Sequence, residues 1–376
     1  MQPIFIIKMK NHTDKPRVLF IGPLPPPIHG SSVVTQQIKN SKLISEAFHG
    51  DWVNMSTSRK MDEIGKLTLS KPFRFIGSLA LTLWLLLKNR YDLCYLAITC
   101  HGGAFLKDVA FVLLCKLFGN TIVIHQHNKG MAKDVDKWPY TWLLPLVYKN
   151  AKVILLSWYL YPDIEKVVPK ENVMICPNGI PISNHGYKDR NNSIPRLLFL
   201  SNLMPSKGVF VLLNALQIIK GKGYSFICDF VGGETKEINA HHFANEVNKR
   251  DLNQYVVYHG RKYGNEKELM YYNADAFVFP TENEAFGLVL LEAMSHHLPV
   301  ITTNEGGIPD IVTNGVNGLI AEKHNSQSLA DCICQMLDSP QLRHQMGENG
   351  FKILKEKFTE EKFEETITRC LRQCST

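Results

Sequence analysis

Short runs of β-branched and aromatic residues alternate with longer segments of helical period from residue 17 to residue 303. This alternation confines the chain to repeated βαβ units built around parallel sheets. RVLFIG (17–22), DLCYLA (92–97), TIVIHQ (121–126), KVILLS (152–157) and NVMIC (172–176) form a first series of predicted strands. Between residues 178 and 195 the rhythm breaks: two Pro-flanked turns, paired asparagines and a Lys-Asp-Arg triplet read as an interdomain connection. RLLFLS (196–201), SFICDFVG (225–232), YVVYHG (255–260), AFVFP (276–280) and PVITT (299–303) then restart it. The fold expected is α/β, with two Rossmann-like domains facing across a cleft, over residues 1–185 and 186–355. The tail, 356–376, has Thr359 as helix cap, Glu360 and Glu361 in the first turn, and Phe363, Ile367, Leu371 and Cys374 at helical spacing. It reads as a packed terminal helix; periodicity leaves open whether it caps its own domain or crosses back to the first.

Composition narrows the partners. The 376 residues carry 42 basic and 35 acidic side chains, a net +7, with 45% hydrophobic residues, ample for packed cores. The excess is uneven: residues 1–185 hold 22 basic and 12 acidic side chains (+10), the remainder 20 and 23 (−3). Such a front half suits an anionic surface or substrate, yet lacks the dense Lys/Arg clusters of a nucleic-acid binder. Nine scattered cysteines with no CxxC pair argue against a disulfide framework or a zinc ribbon. The opening MQPIFIIKMK is too short an apolar run for a secretory signal, and the longest apolar stretch, 75–87, is too short to span a bilayer. A cytoplasmic location is the expectation.

Three segments hold residues suited to chemistry. The turn GPLPPPIHGSS (22–32) is stiffened by prolines, and Gly30, Ser31 and Ser32 offer a close-approach backbone and a cap for a helix predicted near Val33. A helix start presents free N–H groups to a phosphate; a rigid surface turn is the plain alternative. Neither a GxGxxG nor a GxxxxGK[ST] is present there. His125 and His127 lie at i and i+2 at a strand end, so they share a face, and His127 falls beyond the carboxyl end, where open α/β sheets gather ligands. No third ligand follows at a spacing suited to zinc. In PTENEAFGLVLLEAMSHHLPVITTNEGGIPDIV (280–312) a helix is predicted from near Ala285. On such a helix Glu284 and Glu292 would share a side about 12 Å apart along the axis. That is wider than the carboxyl pair of a glycosidase and suits gripping two ends of one elongated ligand, with a diphosphate at the helix start. Gly287 permits close backbone approach, and Gly306 and Gly307 make a second small-residue turn.

EAFGLVLLEAM resembles the E-x7-E signature of retaining glycosyltransferases of family 4 with the GT-B fold, and GGIPD resembles their GGxPE turn. SNLMPSKGVFVLLNAL (201–216) is similar to their GRLxxxKGxxxLLxA stretch, CPNGI (176–180) to their PNG junction, and GPLPPPIHG to their N-terminal loop. The matches span residues 17–355 in order. The resemblance implies a nucleotide-sugar donor bound mainly by the second domain and an acceptor held by the first. It places Glu284 on donor-sugar hydroxyls, Glu292 on the ribose and Lys207 on the diphosphate. Backbone amides at Phe286, Gly287, Leu288, Gly30 and Ser31 assist, and His127 stands beside the reacting sugar. It also implies transfer with retention by a same-face route, the leaving diphosphate helping to deprotonate the acceptor. Two positions depart from the pattern: Asn202 stands where the family has Arg, with Arg261 as a substitute cation, and Asp310 replaces a Glu. No metal motif is seen, so metal-independent transfer and no separate cofactor are expected.

Seven basic residues at 59, 60, 66, 71, 74, 88 and 90 surround the apolar 75–87 run, against Asp62 and Glu63. This fits peripheral docking on the anionic inner face of the plasma membrane and a lipid-linked saccharide acceptor in surface-polysaccharide assembly. A helix packed under the sheet is the competing reading. An epimerase or hydrolase of the same fold and a non-catalytic sugar-nucleotide binder remain the alternatives, and no motif fixes the donor's base or sugar.

Overall fold

The computed structural model describes residues 15–59, 63, 69–183 and 192–375. The first half folds into strands β1 (Arg17–Gly22), β2 (His49–Asn54), β3 (Leu93–Leu96), β4 (Thr121–Gln126), β5 (Ala151–Leu155) and β6 (Val173–Ile175). The second contains β7 (Arg196–Leu200), β8 (Ile227–Val231), β9 (Val256–Tyr258), β10 (Ala276–Phe279), β11 (Val300–Thr303) and β12 (Gly318–Ala321). Each set makes one six-stranded parallel sheet, ordered β2-β1-β3-β4-β5-β6 and β12-β11-β10-β7-β8-β9. The inner strands are mostly apolar because helices cover both faces of a parallel sheet. Two strands went unread in the sequence. HGDWVN is an edge strand with one buried side chain, and GLIA is a four-residue edge.

Strand order fixes where ligands can gather. In the second sheet the order reverses between β7 and β10, and in the first between β1 and β3, so crevices open beyond the carboxyl ends of those strands. The loops after β1, β7 and β10 therefore face one cleft.

The terminal helix Glu360–Cys374 crosses back. Phe363, Ile367, Cys370 and Leu371 are buried in a cluster with Phe20, Ile38 and Tyr95 of the first half. Thr359 caps it by accepting from the Lys362 N–H (3.3 Å). Just before it, the chain bonds to the PNGI segment: Ile180 N–H donates to Phe358 O and Glu360 N–H to Ile180 O, both at 2.9 Å.

The helix Ser70–Lys88 buries Thr82, Leu85 and Leu86, with Leu79 and Phe75 packed partly against the same core and Phe75 edge-on to Phe111 at 5.7 Å. Phe73 is 75% exposed, Ile76 61%, Trp84 53% and Leu87 69%. One side of the helix is thus packed on the first-half core, as the competing reading has it, while the other stays exposed. Lys60, Asp62 and Lys66 lie outside the described residues. Among the described residues no helix is long and apolar enough to cross a membrane.

Candidate active site

A cavity of about 1150 Å³ lies between the halves, lined from the first by His29, Gly30, Ser31 and His127 and from the second by Asn202, Arg261, Glu284, Phe286, Gly287, Leu288 and Glu292. All the cavity-facing residues singled out in the sequence meet there. Lys207 does not line it and stands one side chain behind, at Glu284.

The donor-side loop is built by glycine. Gly287 has φ +97°, which a side chain would oppose, and it ends the loop so that the helix runs Leu288–Ser295. The helix thus starts three residues later than Ala285. Glu284 is not on it, and the 12 Å spacing computed along a continuous helix does not apply. The Glu284–Phe286 loop rests on the next turn: a Cβ at Gly306 (φ +52°) would lie 2.1 Å from Glu284 O, and Gly307 N–H donates to Ala285 O at 2.8 Å. On the first half the helix begins at Gly30, not near Val33. His29 is its cap residue, with its N–H donating to Ser32 Oγ (3.0 Å).

Both glutamates are held by a lysine. Lys207 Nζ donates to Glu284 Oε2 at 3.0 Å and to Asn283 O at 2.7 Å, and Ala285 N–H reaches Glu284 Oε1 at 3.0 Å. Lys267 Nζ donates to Glu292 Oε1 at 2.7 Å and the buried Tyr271 hydroxyl to Oε2 at 2.8 Å. A carboxylate has about four lone-pair positions, so each oxygen keeps acceptor capacity for a hydroxyl. Lys267 and Tyr271 escaped the sequence reading, although their i, i+4 spacing on the helix Gly264–Asn273 puts them on one face.

Where the sequence lacks an arginine, Asn202 Oδ1 accepts from Gly233 N–H at 3.1 Å. Arg261 lies directly across Gly233: a Cβ there would sit 1.9 Å from its Nε. A guanidinium therefore borders the cavity beside Asn202.

The rings of His125 and His127 touch, tilted by 41° with centroids 4.0 Å apart, and His125 Nδ1 meets the Tyr95 hydroxyl at 2.8 Å. Both ring nitrogens of His127 are buried without a protein partner among the described residues. Burial, and secondarily the charge of His29, push its pKa down to about 3, so it is a neutral imidazole at physiological pH. His29, with Nδ1 3.1 Å from Ser31 Oγ, was also missed; its signal was its place beside Gly30 in the loop. Asp310 is exposed and does not line the cavity. Among the described residues no group of three His, Cys, Asp or Glu is placed to hold a metal ion.

Residues 186–353 match the family described as glycosyl transferases group 1. The chain is 33% identical over 216 residues to an uncharacterized glycosyltransferase, MJ1178, of Methanocaldococcus jannaschii, covering 57% of each chain. It is 32% identical over 166 residues to the capsular polysaccharide biosynthesis glycosyltransferase CapM of Staphylococcus aureus, covering 43% of this chain and 41% of that one. The aligned part is thus about half the length of these relatives. In structure it is similar to Anabaena Alr3699/HepE, solved with UDP and glucose, with TM-score 0.74, 17% identity and coverage of 95% of this chain and 100% of that one.

Proposed function

From a chain that carries a group 1 glycosyl transferase segment over residues 186–353 in a GT-B fold, we propose that this protein transfers a sugar from a nucleotide-sugar donor to a saccharide acceptor in polysaccharide or glycan biosynthesis, with retention. The observation that carries this reading is the meeting of Glu284, Glu292 and Arg261 from the second half with His127 and Gly30 from the first around one cavity. We divide the chain at 1–185 and 186–355, with the tail 356–376; one six-stranded sheet in each of the first two parts supports the division.

In this reading Glu292 holds the ribose and Glu284 the donor-sugar hydroxyls. The diphosphate lies between them at the start of the helix Leu288–Ser295, where the amides of Phe286, Gly287 and Leu288 and the facing Gly30 and Ser31 receive it. Lys207 and Arg261 are the cations for charge that develops on the leaving phosphate, and preorganised donors of this kind stabilise the transition state. Lys207 reaches the ligand by exchanging its contact with Glu284 for a phosphate oxygen. Neutral His127, whose ring nitrogens have no partner among the described residues, is free to bond a hydroxyl of the reacting sugar. No carboxylate nucleophile and no metal is required. Chelator should leave transfer by the purified protein unchanged; loss of activity on chelation, restored by a divalent ion, would remove Lys207 and the amides as the source of neutralisation.

A lipid-linked acceptor fits the exposed apolar side of the helix Ser70–Lys88 and the first half's Trp138 (82% exposed) and Trp142 (53%), since amphipathic aromatic side chains favour the membrane interface. Peripheral association with an anionic membrane from the cytoplasmic side belongs to the same reading.

Thermal unfolding against a panel of sugar nucleotides tests the donor site, because a ligand that binds only the folded state raises its apparent stability. One sugar nucleotide should stabilise the wild type, and Glu292→Ala should weaken that ligand by ~10-fold or more, the scale of a lost charged hydrogen-bond partner. Unchanged affinity sinks the ribose role. Turnover without acceptor would instead indicate an epimerase or hydrolase, and binding without turnover a non-catalytic binder.

A further inference from the structure

A buried ion group connects the two halves outside the ligand-gripping set. Glu305, 3% exposed, directly precedes Gly306, and its carboxylate is held from both sides, by Lys129 of the first half and Lys323 of the second. Lys129 stands two residues after His127. The loop that follows is pinned by Asp163, whose carboxylate accepts from the N–H groups of Gly130 (2.8 Å), Met131 (3.1 Å) and Ala132 (3.1 Å). On the other side, Gly306 and Gly307 lie against Glu284 O, Ala285 O and Phe286, and a Cβ at Gly307 would sit 3.0 Å from Ser157 Cβ of the first half. One cross-cleft ion pair therefore joins the loop that carries His127 to the turn that supports Glu284.

We propose that Lys129 and Glu305 are positioning residues, whose ion pair sets the separation of His127 and Glu284 and so the alignment of the reacting groups. What is aligned rests on the glycosyltransferase reading; the strut itself does not. The charges explain why three groups are used. A buried carboxylate stripped of its partner is strongly unfavourable, and Lys323, on the same half, keeps Glu305 paired if the halves part.

Amide hydrogen exchange on the ligand-free chain reads the strut directly. Lys129→Met and Glu305→Gln should each raise exchange at residues 128–132 and at 284–287 together, and the double variant should do no more than either single one. Lys129→Arg should behave as wild type, and Lys323→Met should leave the two loops protected. With whichever sugar nucleotide the stability screen selects, Lys129→Met should lower kcat by ~10-fold or more at a nearly constant donor KM, since small misplacements act on the transition state. Exchange confined to one loop, additive single effects, or a raised KM at fixed kcat overturns the proposal. Lys129 is partly exposed, so its substitution carries the test should Glu305→Gln fail to fold. If exchange behaves as stated but no sugar nucleotide binds, the transferase reading falls and the strut stands.

Discussion

His127 shows how burial turns an ordinary side chain into a specialised one. Its pKa falls from about 6.5 in the unfolded chain to about 3 in the fold, and that of His125 is also driven well down by burial. Above pH ~6.5 both states are neutral and the stabilisation is complete. Below it, the unfolded chain takes up protons that the folded one refuses, so stability is lost progressively from pH ~6.5 towards 3, at a slope approaching 1.4 kcal/mol per pH unit for each histidine. Urea unfolding at pH 7 and pH 5 should show this loss, and His127→Gln should make it shallower; an unchanged slope would mean that His127 is protonated in the fold. Arg261 makes the second case. Arg261→Met should weaken the selected sugar nucleotide ~10-fold, the worth of a charge-assisted contact, measured by calorimetry, with the melting temperature of the free protein unmoved. Equal affinity would leave the vacancy at Asn202 uncompensated.

Turns and helix faces carry the next set of consequences. Gly306 has a left-handed backbone and no room for a methyl group against Glu284 O, so Gly306→Ala should displace the Glu284 loop. A stability loss of about 1–3 kcal/mol together with loss of sugar-nucleotide binding is expected by calorimetry; retained binding would separate the turn from the site. The helix Ser70–Lys88 makes the opposite prediction, because its outward residues pack on little. Phe73→Ser, Ile76→Ser and Leu87→Ser together should leave stability within about 1 kcal/mol and abolish flotation with anionic vesicles. Flotation unchanged by the three substitutions, or none by the wild type, would exclude this face as the membrane contact. The helix was legible in the sequence as an apolar run, but whether its apolar side was covered was not, since hydropathy records composition and not neighbours. The start of the helix Leu288–Ser295 was misread for a related reason. Alanine and phenylalanine are compatible with a helix, and only the left-handed Gly287, held against the adjoining turn, delays it.

Across the whole molecule, the end of the chain completes its beginning. Ile367 and Leu371 are fully buried with Phe20 and Tyr95 of the first sheet, so either residue changed to Ala should destabilise the fold by about 2–5 kcal/mol. In limited proteolysis the first cuts should appear in the first half. Cuts confined to the second half would show that the terminal helix is not a working part of the first.

Ten of the twelve strands, the break between their two series, and Glu284, Glu292, His127 and Gly30 of the cavity lining were written in the order of the amino acids, because strand period, turn chemistry and short motifs are local properties. Which lysine neutralises which glutamate, where Arg261 lies, and the bridging of the halves through Glu305 were decided by tertiary structure. Each joins residues distant in the chain that meet only where two sheets bring their carboxyl ends together, and no local pattern encodes such a meeting.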